Sequence, residues 1–183
     1  MKAIKTPLEG CFILEPNVLR DNRGYFVETF NENTFREATG ISAHFVQDNQ
    51  SFSSRHVLRG LHYQTGEHAQ AKLIRVLTGS VWDVAVDLRP ASPTYGQYYG
   101  VELSADNMLQ FYIPRGFAHG FVVLSDTATF FYKCDNFFHK TAEAGVSYRD
   151  PELAIDWPVL SHKLLVSERD QNLPNLAQAT PVW

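Results

Sequence analysis

Apolar and polar positions alternate along much of this chain with the period of two that belongs to half-buried strands. Lys72 to Leu77 and Ser80 to Leu88 flank Thr78-Gly79, which predicts a hairpin. Within the second run Asp83, Ala85 and Asp87 share one face, and Trp82, Val84 and Val86 share the other. Similar runs predict strands over Gln97 to Leu103, Met108 to Ile113, Gly120 to Leu124 and Thr129 to Asn136, with strand-like stretches over Gly10 to Pro16 and Gly24 to Phe30. A helical period stands out over Glu32 to Thr39, where Phe35 and Ala38 share a face between a capping asparagine, Asn31 or Asn33, and Gly40. Many short strands at this spacing predict a mainly β protein, an antiparallel sandwich or barrel with a few short helices.

No linker rich in Pro, Gly or Ser divides the 183 residues and no fixed-period repeat is present, so a single domain over 1–183 is expected. The N-terminal arm, roughly 1–30, reads as extended chain that can pair with another sheet edge, which predicts a homodimer. The tail, roughly 142–183, is richer in Asp, Glu and Pro. It is expected to pack back on the barrel through Tyr148, Leu153, Ile155, Trp157, Leu164 and Leu165.

Composition narrows the function. A net charge of -4 gives no bulk attraction for DNA or RNA, so an anionic ligand must be met by local charges. Thirteen Phe and eight Tyr favour strands and supply faces for stacking on a flat ligand. No secretory signal and no apolar stretch of about 18 residues is evident, which predicts a cytoplasmic protein without a membrane partner. The two cysteines, Cys11 and Cys134, then read as small buried hydrophobes rather than a disulfide or a zinc site.

The chemistry concentrates in Leu58-Arg59-Gly60-Leu61-His62-Tyr63-Gln64, in Lys72, and in the run Ile113 to Phe121 that contains His119. Two histidines, an arginine and a lysine on short strand-like segments with glycine turns can converge inside a barrel. Pro114-x-Gly116-x-x-His119 resembles the second motif of the cupin superfamily, which implies a double-stranded β-helix, or jelly-roll, barrel. Cupins often hold a metal on His-x-His and a following Glu. Here the first motif reads His62-Tyr63-Gln64, an amide replaces the second histidine, and no metal is expected.

The ordered set Phe26-x-Glu28, Phe45-Val46-Gln47-Asp48-Asn49, Leu58 to His62, Lys72-Leu73, Asp83 to Asp87, Arg89, Ser92-Pro93-Thr94, Ile113 to Phe121, Tyr132-Lys133, Glu143 and Ser167 to Asp170 resembles the dTDP-4-dehydrorhamnose 3,5-epimerase family. The resemblance implies a substrate, dTDP-4-dehydro-6-deoxy-D-glucose, whose C4 carbonyl acidifies the hydrogens at C3 and C5. A base removes a proton, an enolate forms, and an acid returns a proton from the opposite face. No cofactor is needed. It further implies His62 as base, a role suited to a side chain with an ordinary pKa of about 6.5. Asp170 would fix its tautomer, Tyr132 would be the donor on the far face, and Lys72, with His119, would stabilise the C4 oxygen. Arg23 and Arg59 would meet the diphosphate. Glu28, Gln47, Asn49, His119, Glu143, Arg169 and Phe138 would line the nucleotide-sugar site, with the N-terminal arm crossing to a second subunit. The product would be dTDP-4-dehydro-L-rhamnose, a precursor for cell-surface polysaccharide.

Read without the resemblance, Tyr132 in Phe130-Phe131-Tyr132 fits an aromatic core strand, Lys72 and Asp170 fit solvated charges, and Arg23 beside Gly24 fits a hairpin turn. Asp135-Asn136-Phe137-Phe138 departs from relatives that carry tyrosines there; it keeps a stacking face and loses a hydroxyl. That leaves open an epimerase acting at C3 or C5 alone. A non-catalytic cupin that binds a nucleotide sugar, and a metal-dependent cupin enzyme, are the readings from other classes.

Overall fold

Fourteen strands, two α-helices and several single 3-10 turns make up the computed structural model, which describes all 183 residues. In chain order the first elements are β1 (Lys2–Lys5), β2 (Phe12–Glu15), β3 (Val18–Asp21), β4 (Gly24–Val27), α1 (Glu32–Thr39), β5 (Gln47–Ser54), β6 (Val57–Gln64) and β7 (Lys72–Thr78). They are followed by β8 (Ser80–Asp87), β9 (Tyr98–Ser104), β10 (Gln110–Ile113), β11 (Phe117–Val123), β12 (Thr127–Cys134), β13 (Glu143–Gly145), β14 (Leu165–Val166) and α2 (Glu168–Gln171). The first large sheet runs β1-β2-β10-β7-β12-β5 and the second β13-β6-β11-β8-β9, with β14 paired in parallel to β6; β3 and β4 form a separate hairpin. No helix is long and apolar enough to cross a membrane.

The two large sheets face each other as a jelly-roll barrel of cupin type. Ile13, Ile74, Val76, Phe111 and Phe130 of the first sheet meet Val81, Ala85, Leu103, Phe121 and Val123 of the second in one apolar cluster. This core ends at Phe121 and Phe130, whose rings stack with centroids 4.0 Å apart. Beyond them the inward positions turn polar and the barrel opens.

The sequence pattern holds for most elements. Asn31 caps α1, its side-chain oxygen accepting from the N–H groups of Asn33 and Thr34, and Gly40 closes the helix in the left-handed region. The Thr78-Gly79 turn joins β7 to β8, and Val84 and Val86 lie under the C-terminal tail with Leu153, Leu176 and Val182. Asp83 and Ala85 therefore point into the barrel, where both are buried. Leu165 departs from its expected packing: β14 attaches through backbone pairing to Val57, which leaves that side chain largely exposed. β10 starts two residues later than its run suggests, because Met108 takes a positive φ. β11 starts three residues earlier, so His119 lies inside a strand. β5 has no apolar alternation to betray it. Its inward residues Gln47, Asn49, Ser51 and Ser53 are polar because they face the open end of the barrel.

One irregularity positions the site. His119 pairs with His62 and Phe121 with Arg59, so the β6 segment between the paired positions carries one residue more than its partner on β11. Strict alternation sends positions three apart to opposite faces. The extra residue restores Arg59 and His62 to one face, while Leu61 and Tyr63 join the cluster under the tail. Gly60 and Gly120 make this possible. A Cβ on Gly60 would lie 2.7 Å from both Gly120 Cα and the His119 carbonyl oxygen, and Gly60 has φ +120.

Gly60→Ala should therefore lower the unfolding free energy by at least about 2 kcal/mol in urea titration, through strain and backbone collision. A loss below about 0.5 kcal/mol, the range of a neutral surface change, would refute the bulge argument.

Candidate active site

At the open end of the barrel a cavity of about 410 Å³ receives side chains from both sheets and from the tail. The second sheet contributes Arg59, His62 and Gln64 from β6 and His119 from β11; the first contributes Asn49 from β5, Lys72 from β7 and Tyr132 from β12. Phe138, Glu143, Arg169 and Asp170 complete the wall from later segments.

His62 and Asp170 meet because the tail returns along β6. β13 pairs with the stretch that contains His62, β14 pairs in parallel beside Val57 and Leu58, and α2 then starts at its cap, Ser167. Asp170 Oδ1 stands 2.7 Å from His62 Nε2, and its other oxygen accepts the Gly60 N–H at 3.1 Å. Burial by itself would raise the Asp170 carboxyl. The hydrogen bonds from His62 and Gly60, with the charges of His62 and Arg169, outweigh it and hold the group below its ordinary value of 3.8. An ionised Asp170 places the proton on Nε2 and leaves Nδ1 as the basic nitrogen of His62.

Directly across the strand pair, His119 Nε2 stands 3.0 Å from both carboxylate oxygens of Asp83. Burial pushes His119 below the ordinary histidine range, with the neighbouring Lys72 and His62 acting in the same direction, although Asp83 opposes the shift. Lys72 is likewise lowered by removal from water, and no carboxylate stands within ion-pair distance of its Nζ, which lies 5.8 Å from the centre of the Tyr132 ring. It is a cation without a fixed counter-ion, facing the cavity. Tyr132 belongs to the sheet opposite His62, and burial with nearby Cys134 and Glu143 pushes its phenol up to about 12. It is therefore protonated at neutral pH and can act as an acid.

The other expected residues divide into three places. Arg59, Asn49, Phe138, Glu143 and Arg169 line the cavity: Arg59 donates to Ser53 Oγ at 3.1 Å, and Arg169 pairs with Glu143 at 2.8 Å. Gln47 stands one layer back, donating to Asn49 Oδ1 and accepting the Phe138 N–H. Arg23 and Glu28 lie outside the cavity. Arg23 is in the β3–β4 turn, paired with Asp21 at 2.6 Å, and Glu28 accepts from Asn31 and Thr34 at the start of α1. Asp83 joins the site beyond the residues expected from the sequence. The alternation of β8 placed it beside inward-facing Ala85, a signal readable once the barrel interior is known. No three His, Cys, Asp or Glu side chains converge as a metal-binding group, and Gln64 Oε1 is occupied by the His139 N–H.

Comparison with known proteins places the chain in one family. A family model described as dTDP-4-dehydrorhamnose 3,5-epimerase matches residues 5–178. The chain is 51% identical to the dTDP-4-dehydrorhamnose 3,5-epimerase of Escherichia coli K12, over 94% of this chain and 93% of that one. The crystal structure of the enzyme of that name from Elizabethkingia anophelis superposes with a TM-score of 0.93 at 60% identity, covering 96% of each chain. A dTDP-6-deoxy-D-glucose-3,5-epimerase from Legionella pneumophila, solved with dTDP-4-keto-L-rhamnose, superposes with a TM-score of 0.92 at 47% identity, covering 97% of this chain and 93% of that one.

A carboxyl held below its ordinary value stabilises the fold above that value, and the contribution disappears as the pH falls through the folded-state pKa. The stability gap between wild type and Asp170→Asn should therefore be about 1–2 kcal/mol at pH 7 and close as acid is added below pH 3.8. Urea titrations across that range read it; a gap that stays constant down to pH 2 would show that the Asp170 charge is not involved.

Proposed function

The chain belongs to the dTDP-4-dehydrorhamnose 3,5-epimerase family, and from that premise we propose how its own residues carry out the reaction. It is a nucleotide-sugar 3,5-epimerase that converts dTDP-4-dehydro-6-deoxy-D-glucose to dTDP-4-dehydro-L-rhamnose, in dTDP-L-rhamnose biosynthesis. Its site acts by placing a base and an acid on facing sheets, with a cation between them.

His62 Nδ1 takes the proton from C3 or C5, and the C–H electron pair moves into the enolate on the C4 oxygen. Asp170, 2.7 Å from Nε2, balances the imidazolium that results. Lys72 supplies the charge that the enolate oxygen lacks, because its ammonium has no protein counter-ion to leave. His119, oriented by Asp83, completes the polar floor. Tyr132 returns a proton from the other wall, which inverts the carbon. The observation that carries this reading is the opposition of His62 and Tyr132 across one cavity, from different sheets.

Arg59 and Arg169 lie where the diphosphate of the substrate would enter, and Phe138, exposed at the mouth, offers a ring for the base. Arg23 and Glu28 are read as belonging to a second copy's site. The β3–β4 hairpin stands as its own sheet with Phe26 69% exposed, and β5 leaves the edge of the first sheet open with Phe52 65% exposed. A homodimer in which each hairpin reaches the other barrel would cover both. The free, buried thiols of Cys11 and Cys134 fit a cytoplasmic enzyme.

Proton NMR of the sugar in deuterated water tests the chemistry. Wild type should exchange both C3 and C5 hydrogens, His62→Ala should slow exchange by about 10²–10⁴-fold, and Lys72→Met by about 10²–10³-fold. Exchange at one carbon only in wild type would make this a single-centre epimerase, and undiminished exchange in His62→Ala would remove the base. Mixing inactive His62→Ala with Arg23→Ala tests the arm: a dimer with crossed arms regains roughly a quarter of wild-type turnover. Absence of any recovery, with dimers formed, would keep Arg23 out of the partner's site.

A further inference from the structure

Gln64 is left over by the acid–base assignment. It stands where the cupin pattern carries a second histidine, is 6% exposed, and lines the cavity on the same inward face as His62. Its Oε1 accepts the backbone N–H of His139 at 2.8 Å. One residue earlier, the N–H of Phe138 donates to Gln47 Oε1 at 2.9 Å. Gln47 belongs to β5 and Gln64 to β6, so consecutive peptide groups are held by amides from opposite walls of the barrel.

The segment 136–139 is thus a strap joining the two sheets at the cavity mouth. Its first residue is tied as well, Asn136 Nδ2 donating to the Glu67 carbonyl and the Asn136 carbonyl accepting from Gln70 Nε2, each at 2.8 Å. Its last residue stacks on His68, ring centroids 4.0 Å apart and planes within 3°. Phe138 is the ring that this strap presents to the cavity. A neutral amide meets the demand made on position 64. It accepts the half-buried peptide N–H of His139 without placing a negative charge beside a diphosphate.

We propose that Gln64 is a positioning residue that fixes Phe138 through the strap and thereby sets affinity for the nucleoside diphosphate part of the substrate, not the rate of proton transfer. The inference rests on the reading above that Phe138 stacks on the base. Stacking depends on the offset and tilt of the ring, which the two pinned peptide groups determine.

Calorimetric titration with dTDP tests this through a double-mutant cycle. Phe138→Ala should weaken binding by about tenfold in wild type and by the same factor in Gln64→Glu, which keeps an acceptor oxygen. In Gln64→Met, binding should already be weakened by about tenfold, and adding Phe138→Ala should cost nothing more. Steady-state kinetics of Gln64→Met should show the loss in KM rather than in kcat. If Phe138→Ala costs as much in Gln64→Met as in wild type, Gln64 does not act through the ring and the proposal is overturned. If Phe138→Ala has no effect in wild type, the stacking reading itself fails and takes this inference with it. Should Gln64→Met not fold, the Gln64→Glu arm decides: loss of the Phe138 effect there, with the acceptor retained, also overturns it.

Discussion

The close approach of Gly60 to Gly120 is the constraint on which the site depends. It admits one extra residue into β6, and that residue decides which side chains of the Leu58 to Gln64 segment look inward. Arg59, His62 and Gln64 share the cavity face because of it, while Leu58, Leu61 and Tyr63 are free to bury themselves under the tail. The Gly60 N–H is also one of the two donors that hold Asp170. A single backbone contact thus sets both the direction of the base and part of the field on its carboxylate.

Division of labour between the sheets follows from this arrangement. The second sheet carries both histidines, His119 paired with Asp83 of the same sheet and His62 with Asp170 of α2, and the first carries the lysine and the tyrosine. Inversion at a carbon requires attack and return from opposite faces, which two facing sheets supply without any moving part. The apolar core that ends at Phe121 and Phe130 forms the closed floor, so charges above it interact in a medium poorer in water than the surface. Burial lowers His119 and raises Tyr132, which favours the neutral forms of both; it also works against the ammonium of Lys72, which the nearby charges of Asp83 and Glu143 favour.

Much of this was legible in the sequence. α1 was readable to its C-cap Gly40 and to one of two asparagines at its start, because both residue types signal through local hydrogen bonding and backbone freedom; the structure selects Asn31. The β7–β8 hairpin was readable from alternation, and so was the pairing of Asp83 with Ala85 on one face. β5 was not, since strands are recognised by apolar alternation and its inward residues are polar to suit the cavity. Asp83 was not legible for a different reason: which face of β8 is interior cannot be told from the sequence when both faces are buried.

The sequence by itself determined the residue types of the chemistry, the strand periodicity and the family, since each is written in local order along the chain. It also carried the loss of the second cupin histidine at Gln64. Tertiary structure alone decided that Asp170 returns to His62 along β6, that Gln64 holds the strap bearing Phe138, and that Arg23 and Glu28 stay clear of their own barrel. The physical reason is that these placements follow from register and from contacts between distant segments. Neither is encoded in any single window of residues; both are fixed when the sheets close and the glycines of β6 and β11 meet.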